Sequence, residues 1–150
     1  MKIRSLSLAI AILIVFLFAI GCSSQESTIN VSIVSDKDYY SPTMSSVPGL
    51  PLIASISSSV ELSNLEYTWK TDKGSFIAWG EDTGYAVKTL GQECTIKKND
   101  IYWAPIPESN PSNESIRVSV VVRQSGSERI IGQKSIIIKS SEDHLFSIQK

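Results

Sequence analysis

The residue types with the greatest capacity for covalent or acid–base chemistry are scarce in this chain of 150 residues, which has two cysteines and one histidine. A catalytic histidine needs a nucleophile within hydrogen-bond reach and an acidic group that orients its ring. His144 lies in a polar stretch beside Asp143, and no G-x-S-x-G nucleophile elbow occurs in the chain. We therefore expect no catalytic residues. The alternative is an enzyme or enzyme accessory whose active groups come from loops.

Metal binding is a second kind of chemistry to consider. A zinc site needs three or four Cys, His or carboxylate ligands, and this sequence has few cysteines and histidines to supply them. Calcium prefers oxygen ligands, which Asp36, Asp38 and the pair Glu81-Asp82 offer, but their spacing matches no EF-hand loop. The sequence therefore predicts no metal and no cofactor, with a calcium-binding or small-ligand-binding lipoprotein as the alternative.

Cys22 follows a segment with the organisation of a secretory signal. Lys2 and Arg4 carry its positive charge, and the 15 residues from Leu6 to Ile20 are uncharged, with one serine as the polar member. A membrane-spanning helix needs about 20 apolar residues, because the hydrocarbon core of a bilayer is about 30 Å thick. This run is too short, so residues 1–21 are predicted to be a signal peptide.

The end of this segment, Ala19-Ile20-Gly21-Cys22, resembles the lipobox of bacterial lipoproteins, although the pattern most often begins with Leu where this chain has Ala19. The resemblance implies cleavage between Gly21 and Cys22 and a diacylglycerol on the Cys22 thiol. Two or three acyl chains hold a protein stably on a membrane. We expect a lipid-anchored protein of a bacterial cell membrane that faces outside the cytoplasm, with residues 22–27 as a flexible linker. The alternative is an ordinary secretory signal with an incidental cysteine.

The charge and cysteine content of the remaining 129 residues argue against a nucleic-acid-binding domain and against a disulfide-bonded one. They carry 12 basic and 15 acidic side chains, whereas nucleic-acid-binding domains are strongly basic, so no nucleic-acid partner is expected. With Cys22 acylated, Cys94 is left alone and no intramolecular disulfide can form. Cys94 alternates with polar neighbours, and we interpret it as a small buried hydrophobic residue.

Apolar and polar residues alternate from residue 28 onward, a period typical of half-buried strands. In the predicted strand 65–71, Tyr67 and Trp69 face the core, and Glu66, Thr68 and Lys70 face the solvent. Further strands are predicted over 29–35, 52–60, 75–79, 85–90, 93–97, 101–104, 115–124 and 129–139. Residues 105–114 contain three prolines and are a predicted loop, and residues 140–150 are a predicted loose polar tail.

Three segments, in this order, resemble PKD and related bacterial immunoglobulin-like domains. Tyr67–Gly74 is similar to their Y-x-W … G strand and turn. Ile101–Pro105 is similar to a later strand that ends in an aromatic residue, a small residue and a proline. The predicted strands 115–124 and 129–139 are similar to their closing hairpin.

The resemblance covers residues 28–139, although residues 75–100 are longer than the family pattern. It implies an all-β, immunoglobulin-like sandwich of about seven to nine strands, used outside the cell for adhesion, spacing or contact with proteins and carbohydrates. In such sandwiches a tryptophan fills the space between the sheets, and Trp69 is the candidate here. Catalysis is not implied.

Aromatic residues beside predicted turns supply the candidate binding surface. Tyr39, Tyr40 and Trp79 are the candidate anchors, because tyrosine and tryptophan dominate the energetics of binding surfaces. Of the adjacent residues Tyr102 and Trp103, one must face away from the core. The function expected from the sequence is that of a non-catalytic, lipid-anchored binding or structural module with a protein, glycan or cell-wall partner.

Overall fold

The computed structural model describes residues 29–59, 61–106 and 113–149. The predicted signal peptide, the cleavage site Gly21-Cys22 and the linker lie outside these residues, as does much of the predicted loop 105–114. Within the described ranges, no helix is both long enough and apolar enough to cross a membrane.

Ten strands form the regular structure of the described chain. One antiparallel sheet has the strand order β1-β2-β7-β4-β5, and a second antiparallel sheet has the order β10-β9-β8-β3-β6. The two sheets form a sandwich, which confirms the predicted all-β, immunoglobulin-like fold class. The strands are β1 (Asn30–Val34), β2 (Leu50–Ser57), β3 (Leu65–Thr71), β4 (Ser75–Ala78), β5 (Lys88–Gly91), β6 (Glu93–Ile96), β7 (Asp100–Ala104), β8 (Ser115–Gln124), β9 (Ile130–Ser140) and β10 (Phe146–Ile148).

Strand β3 shows the alternation that the sequence predicts. Tyr67 and Trp69 are buried in the core. Lys70 is exposed and forms an ion pair with Glu93 of β6, with 3.1 Å between Nζ and Oε2. A shift of one residue would turn Lys70 toward the core, so the hydrophobic pattern determines the register of this strand.

The longest pairing joins β8 to β9 in a hairpin, as the sequence predicts. Gly126 in its turn has a φ of 75°, a backbone conformation that favours glycine, and the Ser127 N–H donates a 3.0 Å hydrogen bond to the Gln124 carbonyl. The inward-facing side chains of β8 are aliphatic and buried: Ile116, Val118, Val120 and Val122.

Three predicted elements differ from the structure, and the described chain has ten strands where about seven to nine were expected. The strand expected over 52–60 is Leu50–Ser57. The strand expected over 85–90 begins only at Lys88, because residues 80–85 form a tight turn that contains a 3₁₀ segment, Glu81–Thr83. The tail expected to be loose contains β10, in which Phe146 is 1% exposed and forms two backbone hydrogen bonds of 2.8 Å with Tyr40. A large aromatic side chain removes roughly 150–250 Å² from water when buried, which is enough to hold a short polar segment on the sheet.

The core between the sheets is built around aromatic pairs. Trp69 contacts Phe76 of the facing sheet, with ring centroids 6.1 Å apart. Trp103 contacts Phe146 in the same way, with centroids 5.2 Å apart. Both tryptophans are fully buried, so Trp69 occupies the position that the sequence predicts, and Trp103 is the inward-facing member of the pair formed with Tyr102.

The course of β1 and β2 defines the two ends of the sandwich. Asn30 pairs with Ser57 at the end where the described chain begins. Leu50 pairs with Trp103 at the opposite end, which we call the far end. All residues of the core cluster lie within the range 31–146, so a fragment of residues 27–150 retains the whole of that cluster.

Candidate functional site

Three aromatic residues meet on the outer face of the sheet that contains β4 and β7. Trp103 faces the core, so its neighbour Tyr102 faces outward, where its partner across the strands is Ile77 of β4. Trp79 follows Ile77 by two residues and lies on the same side. Tyr85 reaches this face from the turn that follows β4. We call Trp79, Tyr85 and Tyr102 the aromatic cluster.

The rings of the aromatic cluster contact one another edge to face. The centroid of Trp79 lies 5.6 Å from that of Tyr85, with an angle of 70° between the ring planes. It lies 5.8 Å from that of Tyr102, with an angle of 88°. This arrangement is favourable because the positive edge of one ring meets the negative face of another. The contacts hold the Trp79 ring in a defined position on the sheet.

A tight turn places Tyr85 in the aromatic cluster, in a left-handed backbone conformation with a φ of 61°. The carbonyl oxygen of Gly80 accepts three hydrogen bonds here, from Tyr85 N at 2.8 Å, Thr83 N at 3.1 Å and Thr83 Oγ1 at 3.0 Å. A bulky residue in this conformation costs about 1–3 kcal/mol. Glycine would avoid that cost, so the geometry of the turn does not itself require a tyrosine.

The aromatic cluster is open to solvent and has charged neighbours. Tyr85 is 60% exposed, and Trp79 and Tyr102 are partly buried. A cleft of about 180 Å³ adjoins it, and its lining includes Trp79, Tyr102, Asp82, Lys98 and Asp100. Asp82 and Lys98 form an ion pair across the cleft. Exposed aromatic surface and hydrogen-bonding groups therefore stand side by side.

The structure separates the three aromatic residues that the sequence indicates as anchors. Trp79 is in the aromatic cluster, and Tyr39 is 62% exposed in the loop between β1 and β2. Tyr40 is buried, its hydroxyl donates a 2.9 Å hydrogen bond to the Pro48 carbonyl, and burial raises the pKa of that hydroxyl above its usual value. Tyr40 is therefore not a surface anchor. Its backbone pairs with Phe146 of β10, a strand that the sequence does not predict.

Two members of the aromatic cluster, Tyr85 and Tyr102, are not among the predicted anchors. The sequence shows that either Tyr102 or Trp103 faces outward, but not that Trp79 lies beside it. The sequence does not indicate Tyr85 as a binding residue, because the alternation of residues 85–90 suggests a strand. The structure places this residue in a turn. The glycines on either side of residues 81–83 are the local signal for that turn.

The residues considered for catalysis and metal binding do not assemble into a site. Over residues 29–59, 61–106 and 113–149, no three His, Cys, Asp or Glu side chains form a group that could hold a metal ion. Cys94 lies opposite Trp69 in the pairing of β3 with β6, and burial raises the pKa of its thiol from 9.0 to about 11. The thiol is therefore protonated at neutral pH and is a weak nucleophile. His144 lies at the far end, where its backbone N–H donates a 3.2 Å hydrogen bond to the Ser141 carbonyl.

No protein-family model matches this chain, and no curated protein or solved structure is significantly similar to it. The candidate site therefore rests on strand pairing, burial and contact geometry. On those grounds the aromatic cluster is the strongest candidate, because it combines exposed rings, a constrained backbone and adjacent charged groups.

Proposed function

We propose that this protein is a lipid-anchored, non-catalytic module of the bacterial cell envelope that binds a glycan through the aromatic cluster. The observation that carries the proposal is the conformation and exposure of Tyr85. This residue is 60% exposed, has a φ of 61° and makes an edge-to-face contact with Trp79. An unfavourable backbone conformation at an exposed aromatic residue points to a role in binding, because backbone strain of this kind is concentrated at functional sites. The rings already contact one another, so binding requires little ordering of side chains.

The chemistry of the aromatic cluster suits a sugar chain. Sugar rings have apolar C–H faces that pack on aromatic rings, and hydroxyl groups that form hydrogen bonds around their edges. The exposed rings supply the apolar surface, and Asp82, Lys98 and Asp100 supply polar groups around it. A stable protein interface involves roughly 20–30 residues on each side. The small size of the aromatic cluster therefore favours a narrow glycan chain over a protein surface.

The signal segment that ends at Cys22 supports anchorage by lipid. The nine residues from Cys22 to Asn30 span at most about 30 Å when fully extended. A lipid on Cys22 would therefore keep the sandwich in a thin layer outside the membrane, where cell-wall polymers are accessible. The resemblance to PKD and related domains supports the same proposal, since it implies extracellular contacts without catalysis.

The experiment that tests the binding surface is co-sedimentation of the fragment 27–150 with peptidoglycan sacculi, chitin and cellulose. We expect the fragment to bind at least one of these polymers, and Tyr85→Gly to weaken that binding at least tenfold, since truncation of an aromatic hot spot costs about 2 kcal/mol or more. The same variant should stay within about 1 kcal/mol of the wild type in urea, because relief of the left-handed conformation offsets the loss of the ring contact with Trp79. Tyr39→Ala is the matched control, because Tyr39 is equally exposed but outside the aromatic cluster.

Three results would contradict the proposal at different points. Equal weakening by Tyr39→Ala and Tyr85→Gly would show that the aromatic cluster is not the binding surface. No binding to any of the three polymers would rule out the choice of glycan. Turnover of glycoside or peptide substrates that disappears in His144→Ala would overturn the assignment as non-catalytic.

A further inference from the structure

A second concave site lies at the far end of the sandwich, away from the aromatic cluster. It is a cavity of about 580 Å³, within the range of roughly 300–1,000 Å³ that is usual for small-molecule sites. Its walls come from the loop between β1 and β2, from the end of β7 and from the segment around β10. The lining includes Tyr40, Val47, Pro48, Ala104, His144 and Phe146.

Hydrogen bonds hold the walls of this cavity in place. The backbones of Tyr40 and Phe146 form two hydrogen bonds of 2.8 Å with each other, which join the loop between β1 and β2 to β10. The Tyr40 hydroxyl donates to the Pro48 carbonyl at 2.9 Å and holds in place the loop that forms one wall of the cavity. The Ser141 carbonyl accepts a 3.2 Å hydrogen bond from the backbone N–H of His144. The Ser141 hydroxyl accepts a 3.3 Å hydrogen bond from the backbone N–H of Leu145. The cavity is therefore formed before any ligand enters, as most small-molecule sites are.

The chemistry of the lining is uncharged and mostly apolar. Among the described lining residues, none is Asp, Glu, Lys or Arg. Proline, aliphatic and aromatic residues predominate, and the lining residues that carry a polar group are Tyr40, Thr43, Ser45, Ser46 and His144. A charged ligand would lose its hydration in such a cavity without meeting an opposite charge, which is unfavourable. The lining therefore selects for a neutral ligand.

His144 is the polar residue best suited to orient a ligand in this cavity. Its backbone is left-handed, with a φ of 55°, in the turn stabilised by the hydrogen bond to Ser141. This conformation is less favourable for histidine than for glycine, which has no Cβ. An imidazole ring has two nitrogen atoms that can form hydrogen bonds, which suits a hydroxyl, amide or amine group on the ligand.

We propose that the far-end cavity binds one small, neutral, mostly apolar molecule that carries a hydrogen-bonding group, which contacts His144. This site is distinct from the aromatic cluster, which lies on the outer face of the sheet, and binding here requires neither a glycan nor a membrane. Its success or failure is therefore independent of the proposed glycan binding and of the lipid on Cys22.

The test uses N-phenyl-1-naphthylamine, a neutral apolar fluorophore with one N–H group, titrated into the fragment 27–150. We expect a saturable rise in fluorescence with one site per chain, and at least tenfold weaker binding of the anionic relative 1-anilinonaphthalene-8-sulfonate. Val47→Trp fills the cavity and should abolish the rise. Val87→Trp makes the same exchange at an exposed position outside the cavity and should leave the rise unchanged.

A second pair of variants tests His144 without adding bulk. His144→Gly removes the ring and tolerates the left-handed backbone, and should weaken binding of the neutral probe severalfold. His144→Asn keeps a polar group and also tolerates this conformation, so it should bind more tightly than the glycine variant. No saturable binding, equal binding by Val47→Trp and Val87→Trp, or tighter binding of the anionic probe would each overturn the proposal.

Discussion

The indole Nε1 of Trp103 donates a 2.9 Å hydrogen bond to the backbone carbonyl of Lys73, in the turn that connects β3 to β4. Trp69 is equally buried on the facing sheet, but its indole N–H has no hydrogen-bond partner among the described residues. The two tryptophans therefore make different contributions to the core. Trp103 connects the core to a turn, whereas Trp69 contributes apolar contacts and carries an unpaired polar group.

This difference predicts unequal costs for the same substitution. Trp→Phe removes a similar volume at each position, but only Trp103→Phe breaks a hydrogen bond. We expect Trp103→Phe to lower the free energy of unfolding by about 1–2 kcal/mol more than Trp69→Phe does. Urea denaturation of the two variants measures the difference. Equal losses, or a larger loss for Trp69→Phe, would show that the bond to Lys73 contributes nothing to stability.

Gly74, in the same turn, and Gly126, in the β8–β9 turn, are a second pair of positions for a matched comparison. Gly74 has a φ of 78°, and a Cβ there would lie 2.5 Å from the Ala104 carbonyl oxygen and 2.6 Å from Trp103 Nε1. Gly126 has a φ of 75° but no heavy atom within 4 Å of such a Cβ. Both alanine variants carry the left-handed cost of roughly 1–2 kcal/mol, and Gly74→Ala adds a steric clash.

We therefore expect Gly126→Ala to lose roughly 1–2 kcal/mol of stability and Gly74→Ala about 3 kcal/mol or more, because overpacking adds about 1–3 kcal/mol. Chemical denaturation measured by tryptophan fluorescence compares the two directly. Similar losses would mean that the turn moves aside and does not fix the position of the Trp103 ring.

The raised pKa of Cys94 predicts slow thiol chemistry in the folded protein. With a pKa of about 11 when folded and 9.0 when exposed, the thiolate fraction at pH 8 is about a hundredfold lower in the native state. Alkylation by iodoacetamide should therefore be at least that much slower in buffer than in urea. The fragment 27–150 contains Cys94 as its one cysteine, so the signal is unambiguous. Native alkylation at the unfolded rate would contradict the burial of this thiol.

The raised pKa of Cys94 also predicts how the stability of the protein changes with pH. The unfolded thiol begins to ionise near pH 9 while the folded thiol remains protonated, so the stability supplied by Cys94 is complete below pH 9 and declines as the pH rises toward 11. A Cys94→Ala variant should lose less stability than the wild type between pH 8 and pH 10. A parallel decline in the two proteins would show that other groups govern stability in that range.

The segment ending at Cys22 predicts an acylated N-terminus. Mass spectrometry of the membrane fraction should find a mature chain that begins at Cys22 and carries a diacylglyceryl group. Cys22→Ala should abolish acylation and the cleavage that depends on it. If the Cys22→Ala protein is instead cleaved normally and released, the segment is an ordinary secretory signal.

Much of the fold is encoded by local sequence patterns. The alternation in β3 and β8 is sufficient to predict which side chains face the core, because successive residues of a strand point to opposite faces. Trp69, Val118 and Val120 are buried as that period requires. The predicted processing at Gly21-Cys22 also depends on a linear pattern, and it stays a prediction because those residues lie outside the described part of the chain.

The tertiary structure alone decided which aromatic residues are accessible and which of them meet. Tyr39 and Tyr40 are neighbours of the same type, but only Tyr40 is buried, because its backbone pairs with Phe146, more than 100 residues away. Trp79, Tyr85 and Tyr102 come from a strand end, a turn and another strand, and they form one site because β4 pairs with β7. Periodicity determines the face of a strand on which a residue lies, but pairing between distant segments determines its neighbours on that face.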